Sequence, residues 1–79
     1  MDMTKAYNAV EFNDGFVLEI LRDVYVLLEE RGYNPTNQVV GYLISGDPGY
    51  ITSYKGARTL ITGIERTQIL EVILKKALL

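Results

Sequence analysis

The sequence of 79 residues contains no cysteine and no histidine. The absence of cysteine excludes disulfides, and the absence of both residue types removes the usual ligands of a structural zinc site. Catalytic arrangements that pair a nucleophile with a histidine base are excluded for the same reason. A chain without cysteine is in keeping with a cytosolic protein.

Long apolar runs are missing as well. The longest unbroken apolar stretch covers residues 24–28, whereas a membrane-spanning helix needs about 20 apolar residues. The first residues lack the charged-then-apolar order of a signal peptide. We therefore expect a cytoplasmic protein with no membrane partner.

The glycines do not follow either phosphate-binding spacing, GxGxxG or GxxxxGK[ST], so we expect no cofactor. The remaining route to an enzyme is a pair of carboxylates, Asp47 and Glu65, acting as acid and base. A helix cap for Asp47 and a surface charge for Glu65 explain the same residues more simply. We predict that the protein is not an enzyme.

The charge is unevenly distributed. Residues 1–40 carry seven acidic and three basic side chains, and residues 41–79 carry three acidic and five basic ones. This is far from the basic stripe of a nucleic-acid binder. A helix-turn-helix DNA-binding protein is nevertheless the alternative, with a turn at residues 46–49 and basic side chains at Lys55, Arg58 and Arg66.

Apolar residues, by contrast, are abundant at 48% of the chain. A chain this short buries only about 60–65% of the surface that its unfolded state exposes. Small domains without disulfides or metals are commonly stabilised by oligomerisation. We therefore predict a homodimer, with an interface built from the remaining apolar faces of the first and last helices and tyrosines beside them.

The pattern of caps and apolar residues predicts an all-α fold: a compact bundle of about four short helices at residues 13–79, preceded by a flexible arm at residues 1–12. Within the arm, Val10 and Phe12 alternate with a charged residue, a pattern compatible with a short extended piece around residues 10–12. The first helix is expected from Asn13 or Asp14 to Arg31, with Gly32 as C-cap, and the second from Asn34-Pro35 to Ser45-Gly46. Asp47-Pro48 then opens a short turn. The third helix is expected from about Ser53 to Gly63, and the last from Thr67 onward.

Inward-facing side chains follow from the helical spacing. The predicted set is Phe16, Val17, Ile20, Leu21, Val24, Leu27 and Leu28 in the first helix, Val39, Val40, Leu43 and Ile44 in the second, Tyr54, Ala57, Leu60 and Ile61 in the third, and Ile69, Leu70, Ile73, Leu74 and Ala77 in the last.

The middle of the chain combines helix signals with tyrosines and amides. The candidate interaction residues are Tyr33, Asn34, Asn37, Gln38, Tyr42, Asp47, Tyr50, Tyr54, Arg58 and Arg66. One interpretation is that the amides satisfy backbone groups and the tyrosines fill the core. The other is that the tyrosines and Arg58 form a contact surface, since Tyr and Arg are enriched in interface hot spots.

These motifs resemble the IreB family of small Gram-positive regulatory proteins. The resemblance covers about residues 10–79 and is carried by Gly32-Tyr33-Asn34-Pro35, Asn37-Gln38, Val40-Gly41-Tyr42, Ser45-Gly46-Asp47-Pro48, Tyr50, Tyr54, Ala57-Arg58 and Glu65-Arg66. It implies a compact helical homodimer with flexible ends. It also implies a non-enzymatic regulator downstream of a membrane Ser/Thr kinase that senses cell-wall stress, in the enterococcal member a negative regulator of cephalosporin resistance.

The arm departs from the family pattern. Relatives phosphorylated by the kinase carry threonine directly before the segment that matches residues 10–13, and here that position is Ala9. Thr4 is the one threonine of the arm and is therefore the candidate phosphorylation site. The expected partners are a second copy, a Ser/Thr kinase and an unidentified protein target.

Overall fold

The computed structural model describes residues 13–79, and within them the chain is helical throughout. The α-helices are α1 (Asp14–Glu30), α2 (Pro35–Ser45), α3 (Ala57–Thr62) and α4 (Arg66–Leu78), and two 3-10 turns, Pro48–Tyr50 and Tyr54–Gly56, lie between α2 and α3. No strand occurs in this part of the chain. The all-helical prediction is confirmed. The predicted flexible arm, the extended piece at residues 10–12 and Thr4 lie outside the described residues.

Helix α1 begins and ends where the sequence signals placed its boundaries. The Asn13 side chain accepts a hydrogen bond from the backbone N–H of Phe16 at 2.8 Å, which is the usual N-cap bond. At the other end Gly32 has φ +83°, and its N–H donates to the carbonyl of Glu29 at 2.9 Å. This left-handed termination is the predicted one.

Helix α2 also has its predicted boundaries. The Asn34 side chain accepts a hydrogen bond from the N–H of Asn37 at 3.1 Å, and Pro35 occupies the first helical position. Gly46 ends the helix with φ +75°, and its N–H donates to the carbonyl of Tyr42 at 2.7 Å.

The inward face of α2 differs from the prediction. Val39 and Tyr42 are buried, whereas Val40 is exposed and Ile44 is 80% exposed. Val39 and Tyr42 lie about 60° apart around the helix, and Val40 and Ile44 lie about 100° and 140° away from Val39. The large ring of Tyr42 enters the core and turns Val40 and Ile44 outward.

The segment between α2 and α3 contains the predicted turn and one correction. The Asp47 side chain accepts a hydrogen bond from the N–H of Gly49 at 2.8 Å and caps the first 3-10 turn, as expected. A third helix starting at about Ser53 is wrong. Lys55 and Gly56 have φ +47° and +79°, and left-handed backbone does not continue a right-handed helix. Helix α3 therefore starts at Ala57.

Helix α4 starts earlier than predicted, and Thr67 is not its cap. The carbonyl of Glu65 already accepts a hydrogen bond from the N–H of Ile69 at 3.1 Å, so helical bonding begins before Thr67. Glu65 occupies the N-cap position without a capping side-chain bond. The buried side chain of Ile64 fixes the turn directly before it.

The core lies mainly between α1 and α3, with α2 and α4 packed at its sides. All four helices and two loop positions, Ile51 and Ile64, contribute buried residues to the core. The full set is Val17, Leu21, Val24, Leu28, Val39, Tyr42, Ile51, Ala57, Ile61, Ile64, Ile69 and Val72. An ion pair of 3.1 Å between Lys75 and Asp14 links α4 to the start of α1. None of the helices in residues 13–79 has the length and hydropathy needed to cross a membrane.

Candidate interaction surface

Several of the candidate residues hold the chain's own backbone between α2 and α3. The side-chain oxygen of Gln38 accepts a hydrogen bond from the N–H of Thr52 at 3.2 Å. The Nε of Arg58 donates to the carbonyl of Ile51 at 2.8 Å. These two bonds fix residues 51–52, where the side chain of Ile51 is fully buried.

Arg66 joins the start of α4 to the end of α2. Its Nη1 donates to the carbonyl of Leu43 at 3.0 Å, one of the carbonyls that the end of a helix leaves without a partner in the helix. The guanidinium lies against Gly46, where an added Cβ would come within 2.7 Å of the Arg66 Cζ. Glycine at this position therefore permits the left-handed backbone and leaves room for the close approach of Arg66.

Tyr54 belongs to a polar cluster at the end of α1. Its hydroxyl donates to Glu30 at 2.8 Å, and the Lys55 ammonium donates to the same carboxylate oxygen at 2.9 Å. The Tyr54 ring also has the Arg31 guanidinium at 5.4 Å and the Lys55 ammonium at 5.3 Å from its centroid, within the range of cation–π attraction.

The same hydrogen bonds shift two ionisation equilibria. The hydrogen bond from Lys55, followed by that from Tyr54, lowers the pKa of Glu30 below its ordinary value. The bond to Glu30 raises the pKa of Lys55. Both side chains are substantially exposed, so solvent screens the ion pair. The pair joins Lys55, whose backbone is left-handed, to the end of α1.

The other candidate residues divide between the interior and the surface. Tyr42 is only 5% exposed and belongs to the core. Tyr50 is half exposed, and its ring lies on Gly41, where an added Cβ would clash with it. Tyr33 and Asn37 are exposed. The structure therefore brings no single cluster together from the ten candidates.

The structure gives the two competing functions no support. A helix-turn-helix unit has a short turn of three or four residues, whereas residues 46–56 separate α2 from α3. Its three expected phosphate-binding side chains, Lys55, Arg58 and Arg66, donate hydrogen bonds to groups of this chain.

Of the proposed carboxylate pair, Asp47 and Glu65, the structure places one member in a groove between α2 and α4. This open groove of about 520 Å³ lies between the end of α2 and the start of α4, and Glu65 lines it while Asp47 does not. Neither carboxylate takes part in an ion pair within residues 13–79. In the same part of the chain no three acidic side chains gather into a metal-binding group.

Among the helices of the described residues, α4 carries the most exposed large apolar side chains. We call this surface the α4 face; it consists of Leu70, Ile73, Leu74 and Leu78, all exposed. In sequence these residues recur at intervals of three, one and four, which places them on one side of the helix. That side is rotated by roughly a third of a turn from Ile69 and Val72, the residues of α4 that are buried.

Three of the four residues of the α4 face were predicted to be core, and their exposure is a correction. Ile69 is buried as predicted, but Leu70, Ile73, Leu74 and Ala77 are exposed. The physical reason is that α4 has apolar residues on two adjacent sides, and the small core covers one of them. The sequence carried a signal for this, since Ile69 and Val72 form one helical row and the α4 face forms a second.

A smaller apolar patch lies on α2, where Val40 and Ile44 are one helical turn apart. On α1, Phe16 was predicted to face inward, but it is 40% exposed, which is a further correction. Val26 is exposed but lies opposite the buried residues of α1, close in sequence to Arg22, Asp23, Glu29 and Glu30. The apolar surface available for an interface is thus concentrated on α4.

The fold and these contacts define a small all-helical protein whose polar motif residues stabilise its own loops and whose last helix presents an uncovered apolar face. The chain belongs to the IreB family: residues 2–78 match the model of the family described as IreB regulatory phosphoprotein. The match covers nearly the whole chain and confirms the resemblance drawn from the motifs at residues 32–66.

Proposed function

We propose that this chain is a non-enzymatic cytoplasmic regulator that acts by binding other protein chains, first of all a second copy of itself. The observation that carries the proposal is the α4 face. Leu74 is 57% exposed and Leu78 is 76% exposed, in a chain whose small core leaves little other stabilisation. A contiguous exposed apolar face of this kind is typical of a protein-binding surface.

A symmetric dimer would bury the α4 face twice, once from each copy. Fully burying a leucine or isoleucine contributes about 1.5–3 kcal/mol, and the residues of the face are partly buried already. Covering the remaining half of Leu74 in both copies would then contribute roughly 2–3 kcal/mol, which corresponds to about a 100-fold change in the dissociation constant.

The experiment that tests this proposal is sedimentation velocity over a concentration series, with two lysine substitutions. Leu74→Lys places a charge in the middle of the α4 face and should weaken association by about 100-fold or more. Val26→Lys is the matched control, because Val26 is 58% exposed and lies on the far side of α1. A wild-type protein that stays monomeric at micromolar concentration would overturn the proposal.

The regulatory role rests on family membership. The family is described as a regulatory phosphoprotein, and we infer that this chain acts downstream of a Ser/Thr kinase in the response to cell-envelope stress. Because Ala9 replaces the threonine expected from relatives, Thr4 is the proposed acceptor. Phosphate adds about −1.5 to −2 charges near neutral pH, and residues 1–40 are already acidic.

Phosphopeptide mapping of the protein purified from stressed cells tests the assignment. Phosphate on Thr4 in the wild type, and none on the protein with Thr4→Ala, is the expected result. Modification of another residue in wild type and variant alike would show that Thr4 is not the acceptor, without affecting the dimer proposal.

A further inference from the structure

The first twelve residues join the described part of the chain close to the α4 face. Residue 13 is the N-cap of α1, and the next residue, Asp14, is held to Lys75 of α4 at 3.1 Å. Lys75 directly follows Leu74 in α4. The residues that precede α1 therefore start beside the last turns of α4.

Their length is sufficient to cover the face. The eight helical steps from Leu70 to Leu78 span about 12 Å. Twelve residues reach about 40 Å when fully extended, and crossing from Lys75 around the helix to the face uses roughly 13 Å, or about four residues. The eight residues that remain are enough to run along all of it.

Their composition fits an apolar surface on a helix of net positive charge. Residues 1–12 contain five large apolar side chains, Met1, Met3, Tyr7, Val10 and Phe12. Methionine adapts to irregular apolar surfaces because its side chain is flexible. The segment has two acidic side chains and one basic side chain, while α4 has three basic side chains and one acidic one.

We propose that residues 1–12 of the same chain occupy the α4 face in the monomer and are displaced when a second copy binds. The dimer part of this inference rests on the proposed function. It adds that residues 1–12 regulate how strongly two copies associate. The apparent affinity for the second copy is reduced by the fraction of molecules whose face is covered. A change that releases residues 1–12 would therefore promote association.

The docking itself is tested with a spin label on the full-length chain. The sequence has no cysteine, so Ala6→Cys provides a single attachment point. Paramagnetic broadening of methyl signals is measured at a total concentration below the dissociation constant of the dimer, on protein mixed with an excess of wild type that carries neither spin label nor isotope, which leaves only contacts within one chain. Broadening of Leu70, Ile73, Leu74 and Leu78, with Val40 and Ile44 of α2 unaffected, is expected.

Each other outcome of that measurement overturns the proposal. Broadening that disappears on dilution would assign the contact to the second copy's first residues. Broadening of the α2 patch, or of no methyl group, would show that residues 1–12 do not lie on the α4 face.

The competition is tested by sedimentation with a polar version of the segment. Replacing Met3, Tyr7 and Val10 by serine should tighten dimerisation by about 10- to 100-fold, since both copies no longer have to uncover the face. Asn8→Ser with Ala9→Ser in the same segment is the control and should leave association unchanged. Equal association of the polar variant and wild type would overturn the competition. If neither protein associates, the proposed dimer fails, and the spin-label result alone decides the docking.

Discussion

Replacing Gly46 by alanine should destabilise the fold through two separable effects. Gly46 has φ +75°, and holding an L-residue in left-handed backbone costs about 1–2 kcal/mol. The added Cβ would also come within 2.7 Å of the Arg66 guanidinium and displace it from the carbonyl of Leu43. Losing that hydrogen bond costs about 0.5–1.5 kcal/mol, so Gly46→Ala should cost roughly 2–3 kcal/mol in total.

Gly32→Ala is the matched control for the first effect. Gly32 has φ +83°, and nothing lies within 4 Å of an added Cβ, so only the backbone cost of about 1–2 kcal/mol remains. Thermal unfolding followed by circular dichroism, at one fixed low concentration, should show a Tm loss of about 10–20 °C for Gly46→Ala and a clearly smaller loss for Gly32→Ala.

A double-mutant cycle with Arg66→Ala isolates the second effect. In the Arg66→Ala background the cost of Gly46→Ala should fall to that of Gly32→Ala, because the displaced group is gone. If Gly46→Ala costs the same with and without Arg66, or no more than Gly32→Ala in the wild type, the coupling between α2 and α4 through Arg66 is refuted.

Two further predictions concern the loop between α2 and α3. Gln38→Ala should cost about 1 kcal/mol in urea unfolding, because the N–H of Thr52 loses its acceptor; Gln38→Glu keeps an acceptor oxygen and should recover most of the loss, and equal losses would contradict the assigned bond. The pKa of Glu30 is lowered from 4.5, so its contribution to stability is present above about pH 4.5 and is lost as the pH falls through the lower folded-state pKa. Chemical unfolding of wild type and Glu30→Gln between pH 6 and 3 should therefore show a difference that shrinks on acidification, and a constant difference would contradict the role of the carboxylate.

The helix ends were predictable because each is determined by local chemistry. Asn13, Asn34 and Asp47 accept hydrogen bonds from backbone N–H groups two or three residues later, and Gly32 and Gly46 adopt the left-handed backbone that glycine permits. Such signals are contained within a few residues. Four of these five cap residues, Gly32, Asn34, Gly46 and Asp47, also belong to the motifs that carry the family resemblance.

The errors arose where a distant contact decides the local structure. Lys55 carries a side chain and yet has φ +47°, and its ammonium bonds to a carboxylate 25 positions earlier in the chain. The one signal of this break near Lys55 in the sequence is Gly56, which directly follows it and is also left-handed. The start of α4 also depends on contacts with distant parts of the chain. Ile64, directly before the helix, is buried in the core, and Arg66, its first residue, bonds to the end of α2.

The candidate surface was misassigned for a different reason. Helical spacing identifies apolar rows but does not say which row a small core will cover. In α2 the ring of Tyr42 occupies the core and Ile44 is exposed; in α4 Ile69 is covered and Leu74 is not. Composition had already indicated an excess of apolar side chains, and the structure places four of the eleven large exposed apolar side chains of the described residues on the α4 face.

The most direct test of the account is to identify which side chains meet between two copies. Methyl-labelled and unlabelled protein are mixed at a concentration where the dimer predominates, and isotope-filtered NOEs are recorded. Intermolecular NOEs to the methyl groups of Leu70, Ile73, Leu74 and Leu78 are expected. Intermolecular NOEs confined to Val40 and Ile44 on α2, or none at any concentration, would contradict it.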